Sequence, residues 1–280
     1  MNYLIIKADD FGLSTSVNNA IIELFLEKKI TSCTLMVNTE GTHKALTNLD
    51  TNELKNMPVG LHFNIVRGKS LLGNSSITDS SGYFLGRKTL FKKIFLKKVK
   101  MSDITAEFNF QMRFLKINNI KISHIDSDNH VLSNPSIFSH LKQEIINTNL
   151  PCRSLKPLKY VNFFKKPKRF SQQVYLYLSD LKNNSKKIKS NDYLISIYDS
   201  NDNKIDKNTY RKILEIKKKN KVIELMVHPY IESKDLYKIY NSDYERVFLQ
   251  KCFEDYEIIK SGDIFNSDNF KKIDYNFFNN

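Results

Sequence analysis

The stretch YLIIKADDFG, residues 3–12, decides the fold, because it joins a buried strand to a turn and places two acids between them. Its apolar run, residues 3–8, is typical of a buried β-strand. A serine that can cap a helix follows, and the apolar side chains of residues 17–25 recur at helical spacing. The stretch therefore opens a strand–turn–helix unit and leaves Asp9 and Asp10 at the carboxyl end of the strand.

The same alternation of strand and helix continues along the chain. Further strands are predicted at residues 30–37, 58–66, 120–126, 193–198 and 222–227. Helices are predicted at residues 42–54, 101–117, 137–146, 209–219 and 243–259. This alternation indicates parallel strands joined by helical crossovers, in an open sheet or a barrel. The Asn-rich tail that follows is predicted to be frayed.

The length of 280 residues suits a single large α/β domain with a sizeable core. Cys33, Cys152 and Cys252 are widely spaced, which argues against a disulfide framework and a thiolate zinc site and favours a reducing compartment. No signal peptide pattern and no apolar stretch near the roughly 18 residues of a membrane span is present. We therefore expect one domain, residues 1–280, located in the cytoplasm or at the inner face of the cytoplasmic membrane.

The net charge of +14 is concentrated in two segments. Residues 86–100 hold seven Lys or Arg and no acid, and residues 156–189 hold ten against a single acid. The second segment interrupts the strand–helix rhythm, so we interpret residues 156–190 as a basic insertion within the domain. Residues 89–99 also form a basic amphipathic pattern, typical of peripheral contact with an anionic membrane. Nucleic acid is not expected, because no nucleic-acid fold motif is present, and a solvated lysine-rich surface is the simpler alternative.

Acids and histidines collect where the predicted strands end. The four features are Asp9 with Asp10, His62 with Asn64 on the same strand face, the run HIDSDNH at residues 124–130, and His228. Each alone has a simpler interpretation, such as a turn cap, a core histidine or a polar loop. Because the carboxyl ends of parallel strands share one edge, where sites form in such folds, their convergence predicts a functional site.

This set of residues suits metal-assisted hydrolysis. Carboxylate and imidazole ligands without thiolates can hold Zn²⁺, Mn²⁺, Fe²⁺ or Mg²⁺. Such an ion activates a bound water, a carboxylate can accept the proton of that water, and an imidazole can protonate the leaving group. Asp9 and Asp10 can divide the roles of base and ligand between them.

Four ordered motifs resemble those of the YdjC-like carbohydrate deacetylases, a family that includes chitooligosaccharide and hopanoid-pathway deacetylases. The motifs are ADDFG at residues 8–12, GLHFNIVRG at 60–68, HIDSDNH at 124–130 and ELMVHPY at 224–230. An arginine of the family also has a counterpart at Arg153. The similarity covers residues 2–153 and 221–259. It implies a distorted (β/α) barrel of the glycoside hydrolase/deacetylase type, with seven strands, that hydrolyses the N-acetyl group of an amino sugar.

The resemblance also implies a ligand set for one divalent ion, Mg²⁺ or Zn²⁺, with Mn²⁺ as a further candidate. Asp10, His62 and Asp128 would be the ligands. The family usually has histidine where this chain has Asp128, and glycine where it has Tyr230. An oxygen ligand in place of a nitrogen makes the set harder and more negative, which shifts preference toward Mg²⁺ or Mn²⁺.

The remaining roles carried over from the family concern catalysis and substrate contact. Asp9 would be the base and His228 the general acid. Residues that would support the ligands or touch the substrate are Asn64, His124, Asp126, His130 and Arg153. Some relatives resemble enzymes that act on a polyprenyl-phosphate-linked N-acetylhexosamine in lipopolysaccharide modification. The alternatives are a non-catalytic sugar- or lipid-binding protein with a decayed metal site and a glycosidase that uses two carboxylates. A homodimer is one assembly that the sequence permits.

Overall fold

Seven parallel strands form one sheet in the computed structural model, which describes residues 1–183, 185–200, 206–215, 219–262 and 269–279. The strands are β1 Asn2–Phe11, β2 Ser32–Leu35, β3 Val59–Phe63, β4 Ile122–Ser127, β5 Tyr193–Ser196, β6 Val222–Val227 and β7 Phe270–Lys272. Their order is β4-β3-β2-β1-β6-β5, and β7 pairs with the beginning of β1. The predicted α/β class and the seven strands are therefore confirmed.

The path of these strands is open, whereas a regular (β/α) barrel is closed. The segment of residues 151–158 lies between the two edge strands, β4 and β5. It makes isolated parallel bridges from Cys152 to Ile125 and from Pro157 to Leu194. The amide of Arg153 donates to the Ile125 carbonyl at 3.0 Å, which fixes the segment on β4. An irregular segment thus occupies the gap that a further strand would fill in a closed barrel.

Helices cover the sheet. They are α1 Thr15–Leu26, α2 Thr42–Leu49, α3 Arg87–Phe95, α4 Met101–Ile117, α5 Pro135–Thr148, α6 Pro167–Asn183, α7 Lys207–Ile213, α8 Lys234–Ile239 and α9 Asp243–Lys260. The first begins where the Ser14 hydroxyl accepts a hydrogen bond from the Val17 amide at 3.3 Å. The predicted helix at 42–54 ends earlier, at Leu49, and part of the one predicted at 209–219 lies outside the described residues. Among the described residues, no helix is both long and apolar enough to cross a membrane.

The tail is ordered where the structure describes it, so the expectation of fraying is wrong there. β7 runs beside Asn2 and the residues that follow it, and Tyr275 is fully buried. The Tyr275 ring stacks on His124, with 3.7 Å between ring centroids. Aromatic side chains supply the burial that the surrounding asparagines lack. Residues 263–268 and 280 lie outside the described residues.

Because all of the pairings are parallel, every strand ends at one edge of the sheet, which we call the carboxyl edge. β1 brings Asp9 and Asp10 to this edge, and β3 brings His62. β4 ends directly before the turn that begins at Asp128, and His228 follows β6. The fold therefore assembles the predicted residues in one place.

Candidate active site

The three predicted ligands form a buried group that we call the outer cluster, namely Asp10, His62 and Asp128. One ligand atom from each lies within 4.8 Å of the others. His62 Nε2 is 3.2 Å from Asp10 Oδ1. The outer cluster therefore has the donor types and the spacing of a divalent-cation site.

The ADDFG turn explains how Asp10 comes to face His62. The Asp10 backbone lies in the left-handed region, with φ of 68°. Few residues other than glycine adopt this conformation, and it re-aims the side chain at the end of β1. Gly12 follows at φ of 91°, and a Cβ there would lie 2.5 Å from the carbonyl oxygen of Met36. Only glycine fits this approach to the chain after β2, so the motif has a local physical reason.

A second buried group, the inner cluster, consists of three acids and two basic residues, namely Asp9, Asp126, Glu224, Lys7 and Arg153. Arg153 donates to the two oxygens of Asp9 at 2.7 and 2.9 Å. Its Nε donates to Glu224 at 2.7 Å. Lys7 Nζ lies 2.5 Å from Asp9 and also contacts Asp126. Every carboxylate of the inner cluster therefore has a cation beside it.

Asp126 connects the two clusters through His62. Its Oδ1 lies 2.6 Å from His62 Nδ1. An ionised carboxylate can only accept, so Nδ1 carries the proton and Nε2 is left facing the outer cluster. This is the arrangement in which a carboxylate orients a metal-binding imidazole. Asp9, His62 and Asp126 also lie within metal-binding distance of one another, but Lys7 and Arg153 already hold those two carboxylates.

The pKa values of Asp9, in the inner cluster, and Asp128, in the outer cluster, shift in opposite directions. In the inner cluster, burial would raise the pKa of Asp9, but Arg153 and Lys7 hold it well below its usual range. In the outer cluster, burial raises the pKa of Asp128, and Arg67 only partly offsets this. Burial would lower the pKa of His62, yet the charge of Asp126 and a hydrogen bond with Asp10 raise it to about 10. In the absence of an ion the outer cluster thus favours a positive charge on His62.

Two residues that contact the predicted ligands, Arg67 and Tyr230, were not predicted from the sequence to do so. Arg67 donates from Nε to Asp128 at 3.1 Å, and its guanidinium lies over the Tyr240 ring. The Tyr230 hydroxyl donates to Asp10 and lies 3.1 Å from the Tyr240 hydroxyl. Tyr230 occupies the position where the family motif has glycine. This departure from the motif is the sequence feature that could have indicated a contact between Tyr230 and the site.

His228 borders both clusters. Its Nε2 is 3.9 Å from Asp9, and its ring packs edge-on against Phe248. Its Nδ1 is buried and has no hydrogen-bond partner among the described residues. Burial lowers the pKa of His228, so the imidazole is neutral at neutral pH. A substrate group or a water is needed to satisfy this ring.

The other predicted residues lie around the clusters. His124 stacks on Tyr275, away from the ligands, and burial lowers its pKa well below the usual range. His130 is half-buried in the turn after β4, and burial followed by the Arg153 charge lowers its pKa to about 3. Asn64 accepts from the amide of Arg67 at 2.9 Å and thereby shapes the loop that carries this arginine.

Together the fold and the clusters define a parallel α/β protein with a buried carboxylate–imidazole centre at the carboxyl edge of its sheet. The chain belongs to the YdjC-like protein family, whose model matches residues 3–273. It is 34% identical over 163 residues to the carbohydrate deacetylase of Clostridium beijerinckii, covering 57% of this chain and 64% of that protein. It is 34% identical over 151 residues to the chitooligosaccharide deacetylase of Proteus mirabilis, covering 54% of this chain and 58% of that protein. The chain thus matches less than two thirds of the length of these curated relatives.

The same fold occurs in a crystal structure of a candidate cellobiose-phosphate cleavage protein from Enterococcus faecalis V583. The two chains superpose with a TM-score of 0.76 and 20% sequence identity, and the match covers 99% of each. This similarity establishes the fold.

Proposed function

We propose that this protein is a metal-dependent hydrolase that removes the N-acetyl group from an amino sugar. The observation that carries the proposal is the outer cluster of Asp10, His62 and Asp128, with Asp9 and His228 directly beside it. The names of the deacetylase relatives support an N-acetylated carbohydrate as the substrate.

The charges of the two clusters fit a divalent ion. With His62 neutral, the five carboxylates of the clusters face three basic side chains, Lys7, Arg67 and Arg153, which leaves two uncompensated negative charges. The outer cluster would hold the ion through Asp10 and Asp128 oxygens and His62 Nε2. Two oxygens and one nitrogen suit Mg²⁺, Mn²⁺ or Zn²⁺. A bound ion would polarise the amide carbonyl and acidify a water.

The protein's own groups can complete the hydrolysis. Asp9 accepts a proton from the attacking water, and Arg153 with Lys7 holds its carboxylate in position. The C–O bond forms first, and the C–N bond breaks afterwards, when the leaving nitrogen receives a proton. His228, at 3.9 Å from Asp9, can receive the proton from Asp9 and deliver it to that nitrogen. The products are acetate and the free amine.

The supporting residues have roles that follow from their contacts. Asp126 fixes the tautomer of His62, and Asn64 holds the loop of Arg67. His130 lies in the turn that begins with Asp128, where a bound sugar can reach it. His124 stacks on Tyr275, whose hydroxyl donates to Glu224, and acts in our proposal by packing against the inner cluster's support.

A finer proposal concerns the substrate. We infer that the amino sugar is linked to a lipid phosphate, such as a polyprenyl-phosphate-linked N-acetylhexosamine used in lipopolysaccharide modification. The support is the positive charge of residues 86–100 and of the basic insertion at 156–190, within a domain that we take to span residues 1–280. Such a substrate is anionic and membrane-anchored, so it calls for a cytoplasmic enzyme at the membrane face.

One contact favours a second candidate function. The ion pair between Arg67 and Asp128 already compensates one proposed ligand. A protein whose arginine permanently replaced the ion would bind sugar or lipid without catalysis.

Acetate release with bound metal discriminates between these functions. The purified protein is loaded with Mg²⁺, Mn²⁺ or Zn²⁺ and incubated with N-acetylated chitooligosaccharides and with a prenyl-phosphate-linked N-acetylhexosamine. Acetate and one bound ion per chain support the deacetylase. Sugar binding without metal or acetate supports the non-catalytic protein, and cleavage between sugars would contradict both.

A further inference from the structure

Two basic segments of this chain lie at the carboxyl edge of the sheet. α3 lies between the end of β3 and the beginning of α4. Since α4 leads into the first residue of β4, it runs from the carboxyl edge back to the opposite edge. The connection of residues 64–100, which includes α3, therefore begins and ends at the edge that carries the candidate site.

The second segment reaches the same edge by a different route. Residues 151–158 run parallel to β4 and β5, so they end at the carboxyl edge. α6 then returns to the opposite edge, where the Lys189 carbonyl accepts from the amide of Cys152 at 2.9 Å. The connection of residues 159–166 and the first turn of α6 thus lie at the carboxyl edge. Lys166 and Arg169 bind Ser200 and Asp199, at the end of β5.

Both segments border the mouth of the site. Arg67, in the connection of residues 64–100, donates to Asp128 at 3.1 Å. Tyr175 of α6 lies 3.5 Å from Ser133, in the turn after β4. Both basic segments are therefore continuous with elements that contact the surroundings of Asp128.

Each segment projects an aromatic side chain into solvent among lysines. Phe95 is 85% exposed at the end of α3, and Phe164 is 90% exposed before α6. Leu96 and Phe163 beside them are about half exposed. Large apolar side chains this exposed are uncommon unless they contact a partner. We call residues 92–98 the α3 tip and residues 163–169 the α6 tip.

The lysines of the α3 tip lack acidic partners. Within the described part of the chain, no carboxylate lies within salt-bridge distance of the four side chains Lys92, Lys93, Lys97 and Lys98. The sequence around them, residues 86–100, contains no acid. An anionic partner is needed to complement this surface.

We propose that the α3 tip and the α6 tip dock on an anionic lipid bilayer, with Phe95 and Phe164 entering the headgroup region, so that the site mouth faces the membrane. Apolar tips flanked by lysines suit this interface. A single-stranded nucleic acid also binds basic and aromatic surfaces, but stacking platforms do not require exposed aliphatic residues such as Leu96. The inference deepens the proposed lipid-linked substrate, and its test is independent of catalysis.

The test is co-sedimentation of the full chain with vesicles at moderate salt. Vesicles of phosphatidylcholine mixed with phosphatidylglycerol are compared with phosphatidylcholine alone. We expect the anionic vesicles to bind roughly tenfold more protein or better. Lys92→Gln with Lys97→Gln and Lys98→Gln should lower binding roughly 100-fold, and Phe95→Ser with Phe164→Ser should lower it several-fold.

The control lies at the opposite edge, where α4 ends. Ile117 is 66% exposed there between Lys116 and Lys121, both also exposed. Ile117→Ser with Lys116→Gln and Lys121→Gln matches the chemistry of the test variants and should leave binding unchanged.

Equal binding to neutral vesicles, an equal loss in the control, or displacement by single-stranded RNA would overturn the docking proposal. Acetate release from a soluble substrate without vesicles is measured on the same preparations. Failure to bind vesicles with acetate release intact contradicts docking alone, whereas vesicle binding without acetate release contradicts only the deacetylase.

Discussion

The inner and outer clusters contain the same kinds of acid and lie side by side, but they differ in what compensates the negative charge. In the inner cluster, Lys7 and Arg153 are buried against the carboxylates. In the outer cluster, the compensating charges are His62, when no ion is bound, and Arg67, whose side chain is 26% exposed. A buried pair is costly to separate because each partner would be left desolvated and alone. The inner cluster is therefore a permanent support, and the outer cluster is the place where a cation can be exchanged.

Because of this difference, we expect the neighbouring residues Asp9 and Asp10 of the ADDFG motif to have different roles. Asp9 belongs to the inner cluster and keeps its partners in every state. Asp10 belongs to the outer cluster, contacts His62 and Tyr230, and can turn an oxygen toward an ion. The backbone twist at Asp10 separates the two carboxylates.

The largest effect is expected from Asp9→Asn, which changes the inner cluster only. Amide replaces the proposed base, so acetate release should fall roughly 10²–10⁴-fold, the range typical of general-base loss. Metal content, measured by elemental analysis, should be unchanged, because the outer ligands remain. Asp50→Asn, at an exposed helix end, is the control. Loss of metal together with activity would show that the two clusters are not separable.

Asp128→Ala tests the outer cluster. Removing one proposed ligand should weaken divalent-ion binding by more than roughly 100-fold in calorimetry, since supporting residues alone typically contribute 10–100-fold. Asp128→His restores the ligand common in the family and should shift preference from Mg²⁺ toward Zn²⁺. Full metal affinity in Asp128→Ala would contradict the ligand assignment.

Tyr230→Phe removes the hydroxyl that Asp10 accepts from, without removing the ring. We expect roughly tenfold weaker ion binding, as for other supporting partners of metal ligands. Tyr240→Phe changes a hydroxyl one step farther away and should have a smaller effect. Thermal melting without metal should be similar in both variants. Equal affinities for the wild type and Tyr230→Phe would show that Asp10 needs no such partner.

Asp255 is a buried acid that belongs to neither cluster. Of the substitutions considered, its replacement should have the smallest effect on ion binding. No basic side chain compensates it among the described residues, and burial raises its pKa to about 7 even though the His228 amide donates to it. Between the unfolded value near 4 and this value, the folded state binds the extra proton. The contribution of Asp255 to stability should therefore fall as the pH rises from about 4 to about 7.

Asp255→Asn removes this titration, because the amide stays neutral. The melting temperature of the variant should therefore rise relative to that of the wild type between pH 4 and pH 7, while metal affinity stays at the wild-type value. Parallel pH profiles of the wild type and the variant would contradict the assignment to Asp255.

Local patterns predict much of this fold. The helix predicted at 101–117 coincides with α4, and the strand predicted at 222–227 coincides with β6. The three residues of the outer cluster could be singled out because each lies at the end of a recognisable strand or directly after it, and the family motifs mark them. These features depend on residues close together in sequence, so periodicity and motif spacing reveal them.

The partners within the clusters could not be predicted in the same way. Lys7 and Glu224 lie inside apolar strands. Their charges find partners only in the folded protein, where β1 pairs with β6 and Arg153 packs against both. Arg153 is 144 residues from Asp9 in the chain, and no local pattern joins them, so only the family resemblance indicated that Arg153 supports the site. The place of residues 151–158 in the sheet also depends on the strand order. Buried charges within a strand are the signal that such partners exist.

The pairing of β1 has a consequence for protein synthesis. β1 is made before the other described strands of this chain, yet its neighbours β6 and β7 are made after them. Until β6 is made, one edge of this apolar strand has no partner, and Arg153 lacks its partner Glu224. A strand edge open for this long is prone to pair with other chains. Slowing translation between β5 and β6 should therefore increase aggregation of the nascent protein, whereas a pause after β7 should not.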